Sequence, residues 1–252
     1  MATNTRSRVK GSGGGVVETV EGDGDGRLLI GQSVPRGHSQ KCLSLHAREN
    51  FAHPNCLTHD IKLNVPNYGE VTIDISYGGA FYALVSADQL GLDLGKSSFQ
   101  SIQAAGTAVT MATKDAVILE HPDSPNLAFL YGTIITDGED TWSEEPTTNI
   151  CNFADSQIDK SPCGSGVTAR IALQLHKGLI DLDQTRSFRS GVTGTTFTGK
   201  AVEKTKVSRF DAVVVEISGK GHYVGESTFI CEDDDELGKG FVSIEHFLED
   251  SK

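Results

Sequence analysis

The sequence predicts an α/β protein in which a mixed sheet curves around one enclosed helix. Three features support this fold class. Short runs that alternate apolar and polar residues, typical of half-buried strands, recur from residue 60 to residue 230. Residues 164–177 instead repeat apolar side chains every four positions, which is typical of a helix. The strongly charged members of that segment are Arg170 and Lys177, so we expect the strands to enclose it.

The first predicted strands form a hairpin. Two alternating runs within residues 61–75 flank the sequence Pro-Asn-Tyr-Gly, which favours a turn. Residues 77–85 continue the strand pattern, but a glycine pair interrupts it. Gly78 and Gly79 therefore predict a bulge or a close approach by another backbone.

A second helix is predicted after Ser98, because serine commonly caps helix N termini. The apolar residues that follow fall near one helical face: Phe99, Ile102, Ala105 and Val109. Gly178 sits where the end of the enclosed helix favours a left-handed residue. Strand-like composition returns in the remaining segments: residues 116–119, 128–135, 147–153, 187–190, 195–197, 213–217, 222–224 and 228–230.

Composition narrows the partners that we expect. The formal net charge of the 252 residues is −12, and Lys and Arg do not cluster, so neither nucleic acid nor an anionic membrane is an expected partner. No apolar run approaches the roughly 20 residues that span a bilayer. The five cysteines are odd in number and unpatterned in spacing, which predicts free thiols in a reducing compartment, hence a cytoplasmic location, and no metal site.

Two regions are expected along the chain. Residues 1–55 contain Gly-rich tracts and no sustained hydrophobic period, so we predict that they are poorly ordered or a remnant of an N-terminal segment. Residues 56–252 are predicted to form one lobe with a C-terminal tail. A homodimer is left open by the sequence.

The chemistry is predicted to centre on the run Asp159-Lys-Ser-Pro-Cys-Gly-Ser-Gly. At the start of a helix, the backbone amides of Gly164 and Ser165 have no intrahelical acceptors and can hold a substrate carboxylate. Cys163 lies at the same positive helix end, which lowers a thiol pKa and suits it to act as an acid or a base. Asp159 is sited to accept a hydrogen bond from a substrate ammonium group.

These parts suit removal of the α-proton of an amino acid without a cofactor. No dinucleotide-binding glycine pattern, phosphate-binding loop or clear pyridoxal-phosphate lysine is present, so we expect no cofactor. The alternative interpretation is structural, in which the same run simply caps a helix and Cys163 is buried and inert.

Several stretches resemble the proline racemase family, and within it the trans-3-hydroxy-L-proline dehydratases of animals. They are residues 71–83 (VTIDISYGGAFYA), 121–124 (HPDS), 129–132 (FLYG), 145–149 (EPTTN) and 159–178. The resemblance implies a diaminopimelate epimerase-like fold of two lobes, each a sheet wrapped around a central helix, with the active site between the two helix N termini. It also implies a small imino acid substrate and, as the favoured reaction, dehydration of trans-3-hydroxy-L-proline to pyrroline-2-carboxylate.

Two departures from the family pattern leave alternatives open. The family's Met-Cys-Gly-His motif, whose cysteine is the opposing base, does not occur in the sequence, and Cys42 and Cys56 lack its Gly-His context. We therefore expect a truncated member of the family. In one alternative this truncated member is inactive and serves as a binding module. Residue 163 is typically threonine in the dehydratases but cysteine in the racemases and hydroxyproline epimerases, so these two activities form the other alternative.

Overall fold

A computed structural model describes residues 58–121, 125–207 and 210–220, together with three short strands nearer the N terminus. The chain forms two units, Ser39–Gly221 in one and Met1–His38 with His222–Lys252 in the other. In the latter unit the structure describes β1 (Glu21–Gly22) and β2 (Leu28–Leu29), which pair antiparallel. The predictions for residues 1–55, 222–224 and 228–230 otherwise lie outside the described residues.

The unit formed by Ser39–Gly221 contains a ten-stranded mixed sheet and two α-helices. Its elements are β3 (Leu45–Ala47), β4 (Thr58–Val65), β5 (Gly69–Tyr77), β6 (Phe81–Ser86), α1 (Phe99–Ala116), β7 (Leu130–Thr136), β8 (Thr147–Phe153), β9 (Gln157–Ile158), α2 (Gly164–His176), β10 (Thr185–Ser190), β11 (Thr196–Val207) and β12 (Phe210–Gly219). The strand order is β3-β12-β11-β10-β8-β7-β6-β5-β4, with β9 paired to β8. β6 runs parallel to β7 and β8 runs parallel to β10, while the other pairs are antiparallel.

The sheet wraps around α2, as the sequence predicts. α2 contacts β5 and β6 towards one end of the strand order and β11 and β12 towards the other, which requires a curved sheet. α1 packs on the opposite face, against β4, β6, β7 and β8. In β6, Phe81 and Ala83 join the α1 core while Tyr82 and Leu84 face α2, because successive strand residues point to opposite faces. Both faces of the central strands are therefore buried.

α2 is enclosed along most of its length, and each residue from Gly166 to Gln174 is buried. Its interior charge, Arg170, is fully buried and forms an ion pair with Asp140 at 2.5 Å. Arg170 also donates to Thr147 Oγ1 at 2.9 Å and Asn149 Oδ1 at 3.1 Å. These partners offset the cost of removing the guanidinium from water.

The ends of the helices follow the predicted signals. The Ser98 side chain caps α1 by accepting from the Ser101 amide at 3.1 Å, and Gly178 adopts a left-handed φ of 68° just after α2. One detail of the prediction is wrong. Residues 116–119 form no strand, because Ala116 ends α1 and irregular backbone follows it, with Ile118 93% exposed. Phe99, at the first position of α1, is 56% exposed.

Candidate active site

The loop before α2 is shaped by its own polar side chains. Asp159 Oδ1 accepts from the Ser161 amide at 2.8 Å, and Ser161 Oγ accepts from the Cys163 amide at 3.0 Å. Asn149 Nδ2 donates to the Pro162 carbonyl at 3.0 Å, which ties the loop to β8. These bonds turn the chain from β9 into α2 and place residue 163 at the N-cap of the helix.

Cys163 occupies an unusual backbone conformation, with φ 70° and ψ 111°. A non-glycine residue with positive φ carries a conformational cost of about 1–3 kcal/mol, which is found most often at functional sites. The Cys163 carbonyl accepts the first helical bond, from Val167 N at 2.8 Å. Its position at the helix N terminus is therefore fixed by the helix itself, as the sequence predicts.

The four predicted site residues lie on one loop and one helix turn. Cys163, Gly164 and Ser165 stand at the start of α2, and Asp159 precedes them on the loop with one carboxylate oxygen bonded to the Ser161 amide. The first amides of a helix have no acceptor within it, so those of Gly164 and Ser165 remain suited to bind an anion. A Cβ placed on Gly164 would meet no atom of the described residues within 4 Å, so the part of the chain that the structure describes leaves space beside Gly164 open.

Cys163 is 6% exposed, and two hydroxyl groups lie close to its sulfur. Its Sγ is 3.6 Å from Ser165 Oγ and 3.7 Å from Tyr82 Oη, and those two oxygens are 2.8 Å apart. Cys151, from β8, is completely buried and belongs to the same buried cluster as Cys163. Cys163 is buried, as the structural alternative expects, but two hydroxyls lie within hydrogen-bond distance of its sulfur.

These neighbours favour the ionised form of Cys163. The interaction with the neighbouring Cys151 thiol, together with the hydroxyls of Ser165 and Tyr82, lowers the pKa of Cys163 against the opposing effects of burial and of the Asp159 charge. The interaction with Cys163, together with burial, raises the pKa of Cys151 well above its usual range. Of the two thiols, Cys163 is therefore the one favoured to ionise.

Two glycines allow the close packing around this thiol. A Cβ on Gly166 would lie 3.2 Å from Cys163 Sγ and 2.8 Å from Ile134 Cδ1. A Cβ on Gly78 would lie 2.1 Å from the Ser165 carbonyl oxygen, so the β5–β6 hairpin can approach α2 only with glycine at that position. The predicted close backbone approach at the glycine pair is confirmed at Gly78.

Sequence reasoning missed Tyr82 and Cys151. Tyr82 falls within a stretch that resembles the family but had no assigned role, and Cys151 was counted only among the five predicted free thiols. The alternation of β6 places Tyr82 on the same face as Leu84. The sequence, however, does not indicate which face of that strand meets α2.

The described ranges contain no group of three or more His, Cys, Asp or Glu side chains that could hold a metal ion. Among the helices that the structure describes, none combines the length and apolar character needed to cross a membrane.

A mixed sheet wrapped around a helix that begins at a cysteine defines a racemase-type lobe. The chain belongs to the proline racemase family, whose model, described as proline racemase, matches residues 32–242. In solved structures it is similar to a hydroxyproline epimerase from Agrobacterium vitis with bound trans-4-OH-L-proline, at a TM-score of 0.63 and 27% identity. That match covers 74% of this chain and 53% of the other. A probable proline racemase from Agrobacterium radiobacter K84 matches with the same TM-score and identity, over 73% of this chain and 53% of that one.

Curated relatives of higher identity carry another activity. The chain is 59% identical over 186 residues to the trans-L-3-hydroxyproline dehydratase of Bos taurus, and 56% identical over 186 residues to the trans-3-hydroxy-L-proline dehydratase of Homo sapiens. Each match covers 74% of this chain and 52% of the relative. The chain thus spans about half the length of the curated relatives it matches.

Proposed function

We propose that this chain provides one lobe of a cofactor-independent hydro-lyase that converts trans-3-hydroxy-L-proline to pyrroline-2-carboxylate. The observation that carries the proposal is the start of α2, where the first helix amides and Cys163 lie beside space that the described residues leave open. The identity to dehydratases of animals supports this substrate over the other substrates of the family.

In the proposed reaction a base removes the α-proton of the bound imino acid. The electron pair of the Cα–H bond becomes the Cα–Cβ double bond, the Cβ–O bond breaks, and the hydroxide takes up a proton and leaves as water. The resulting enamine tautomerises to pyrroline-2-carboxylate. The amides of Gly164 and Ser165 would hold the carboxylate and stabilise charge that spreads into it, and Asp159 would accept from the ring nitrogen.

Removal of the α-proton is assigned to the opposing cysteine that the family resemblance implies. In the family that cysteine lies in a Met-Cys-Gly-His motif, which this sequence does not contain. Cys163 would then lie on the other face of the substrate. The two free cysteines that the structure describes, Cys151 and Cys163, support a reducing, cytoplasmic location. A homodimer belongs to the same proposal.

A second candidate function is racemisation of proline or epimerisation of hydroxyproline. It is favoured by the chemistry of residue 163, because a thiol whose ionised form is stabilised can both accept and return an α-proton. The similarity to a structure of a hydroxyproline epimerase supports the same alternative.

The test joins the N-terminal half of the bovine relative ahead of Thr58 and assays the purified fusion in D₂O. Proton NMR follows formation of pyrroline-2-carboxylate from trans-3-hydroxy-L-proline, and α-deuterium exchange with inversion for L-proline and trans-4-hydroxy-L-proline. Dehydration supports the lyase, whereas exchange with inversion and no dehydration replaces it with the second candidate. Pyrrole-2-carboxylate is planar and mimics the planar carbanion. If the fusion folds and binds this mimic but turns over none of the three substrates, both candidate functions are rejected.

The isolated 252-residue chain is the matched control. We expect its turnover to be negligible, because a positioned acid–base group typically contributes about 10²–10⁴-fold and the family's opposing base motif is missing from it. Robust turnover by the isolated chain would show that it contains a second base, and Cys42 and Cys56 would be the first residues to substitute.

A further inference from the structure

Tyr82 places a buried hydroxyl at the candidate site. Only 1% of its surface is exposed, and its oxygen lies 2.8 Å from Ser165 Oγ and 3.7 Å from Cys163 Sγ. A phenylalanine would fill the same volume without a polar atom, and burying a hydroxyl costs free energy unless it is hydrogen-bonded. The two contacts that offset this cost are made with Ser165 and Cys163, at the start of α2.

The ring of Tyr82 is held in place by its neighbours. It packs nearly perpendicular to the ring of Tyr131, with centroids 5.9 Å apart and an interplanar angle of 77°. Tyr82 also belongs to a buried cluster with Leu84, Ile134 and Leu173. The hydroxyl therefore cannot leave Ser165 and Cys163 without repacking this part of the core.

We propose that Tyr82 is a positioning residue, whose hydroxyl orders Ser165 and the Cys163 thiol for proton exchange. The role in catalysis rests on the second candidate of the proposed function, in which Cys163 itself accepts and returns the α-proton. With Cys163 ionised, Tyr82 donates to Ser165 Oγ and Ser165 donates to the thiolate, and each bond polarises the next. A protonated Cys163 attracts these donors less, so the two hydroxyls favour the thiolate.

Several other groups also act on Cys163. The buried Cys151 thiol on β8 favours its ionisation, and the Asp159 carboxylate opposes it. Tyr131, on β7, lies nearby, but among the described residues its contact is with the Tyr82 ring rather than a hydrogen bond to Cys163. Burial raises the pKa of Tyr82 above its ordinary value, so its phenol keeps its proton while a thiol titrates. Removal of the Tyr82 oxygen therefore takes away a donor and leaves the other charges in place.

The experiment compares Tyr82→Phe with Tyr131→Phe as a matched control from the same ring pair. Cysteine labelled with ¹³C at Cβ reports each thiol titration by NMR without substrate, and the Cys163 signal is assigned by its loss in Cys163→Ser. We expect Tyr82→Phe to raise the Cys163 midpoint by roughly 0.5–1 pH unit, which is about a three- to tenfold lower thiolate fraction. The Tyr131→Phe midpoint should stay at the wild-type value.

An unchanged midpoint in Tyr82→Phe, or an equal shift in Tyr131→Phe, overturns the proposal. If Tyr82→Phe does not fold, Ser165→Ala carries the test, because it removes the middle hydroxyl of the chain while alanine suits a helix. Ser165→Ala should raise the midpoint in the same direction, and no shift there overturns the proposal as well. The titration needs no turnover, so a failure of the dehydration assay rejects the proposed function while the midpoints still decide the role of Tyr82.

Discussion

Substitution of Gly78 by alanine should separate the β5–β6 hairpin from α2. The new Cβ would lie 2.1 Å from the Ser165 carbonyl oxygen, 2.5 Å from the Ala169 amide nitrogen and 2.9 Å from Thr168 Cβ. Two of these atoms are helix backbone, which cannot rotate away as a side chain end can. The shift would also stretch the buried bond from Ser76 Oγ to the Ala169 carbonyl, which is 2.8 Å long.

Overpacked cores typically lose about 1–3 kcal/mol, and a lost buried hydrogen bond adds about 1 kcal/mol, so we expect a loss of about 2–4 kcal/mol. For a protein of this size that lowers the thermal midpoint by roughly 4–16 °C. Urea unfolding followed by circular dichroism measures the change, with Gly164→Ala as the control because its Cβ would meet no described atom within 4 Å. Equal stability of the two variants would refute the close approach of the hairpin to α2.

Two further predictions concern the site and the buried ion pair. Gly164→Ala should fold normally yet weaken pyrrole-2-carboxylate binding by about tenfold in the bovine fusion, because its methyl group enters the open space beside the anion-binding amides. Calorimetry measures the affinity, and an unchanged affinity would place the ligand elsewhere. Burial would raise the pKa of Asp140, but the charge and hydrogen bond of Arg170 outweigh it and lower that pKa. The stabilisation from a lowered carboxyl pKa is present above the unfolded value and is lost as pH falls through the folded one. The Asp140 side chain is 33% exposed, so Asp140→Asn should lower the free energy of unfolding by about 1–3 kcal/mol at pH 7 and by progressively less below about pH 4. Asp155 is exposed, and Asp155→Asn should change the free energy of unfolding little at either pH. A pH-independent cost in urea unfolding would exclude the ion pair as its source.

Local signals accounted for the elements that the sequence predicted well. The alternating runs and turn within residues 61–75 became β4 and β5, and the Ser98 cap and Gly178 marked real helix ends. Each of these signals depends on interactions within a few residues. The enclosed helix was also readable, because a nearly uncharged apolar helix must be covered on all sides.

Longer-range features were not readable in the same way. β11 extends over Thr196–Val207, whereas only residues 195–197 were expected, since Lys and Glu residues along the strand resemble a loop by composition. The strand order, with β8 beside β10 across α2, depends on which apolar faces meet. Such pairings are decided by the whole core rather than by any one segment.

The candidate site shows the same division. The cysteine, the glycine-serine run and the helix start are contiguous in sequence, so their chemistry could be argued from spacing. Tyr82 is 81 residues from Cys163 along the chain, and their contact depends on the curvature of the sheet around α2. The groups that favour ionisation of Cys163 therefore come largely from strands and could be recognised only in the folded chain.

Residue 163 separates the two proposed chemistries. A racemase needs an ionisable group on each face of the substrate, so Cys163→Ser in the bovine fusion should lower α-deuterium exchange by about 10²–10⁴-fold. In a dehydratase the opposing cysteine alone removes the α-proton, so Cys163→Thr should retain dehydration of trans-3-hydroxy-L-proline to within a few-fold. A β-branched residue at φ 70° is strained by roughly 1–3 kcal/mol, so thermal midpoints of both variants establish that they are folded before their rates are compared.

The contacts around residue 163 bear on how the rates of Cys163→Thr are interpreted. The hydroxyls of Ser165 and Tyr82 lie 3.6 Å and 3.7 Å from Cys163 Sγ and favour its thiolate. If Cys163→Thr dehydrates the substrate normally, those donors serve binding or orientation and the lyase assignment holds. If a folded Cys163→Thr loses dehydration and exchange together, the thiol itself takes part in the lyase reaction, and the assignment of proton removal to the opposing cysteine alone is wrong.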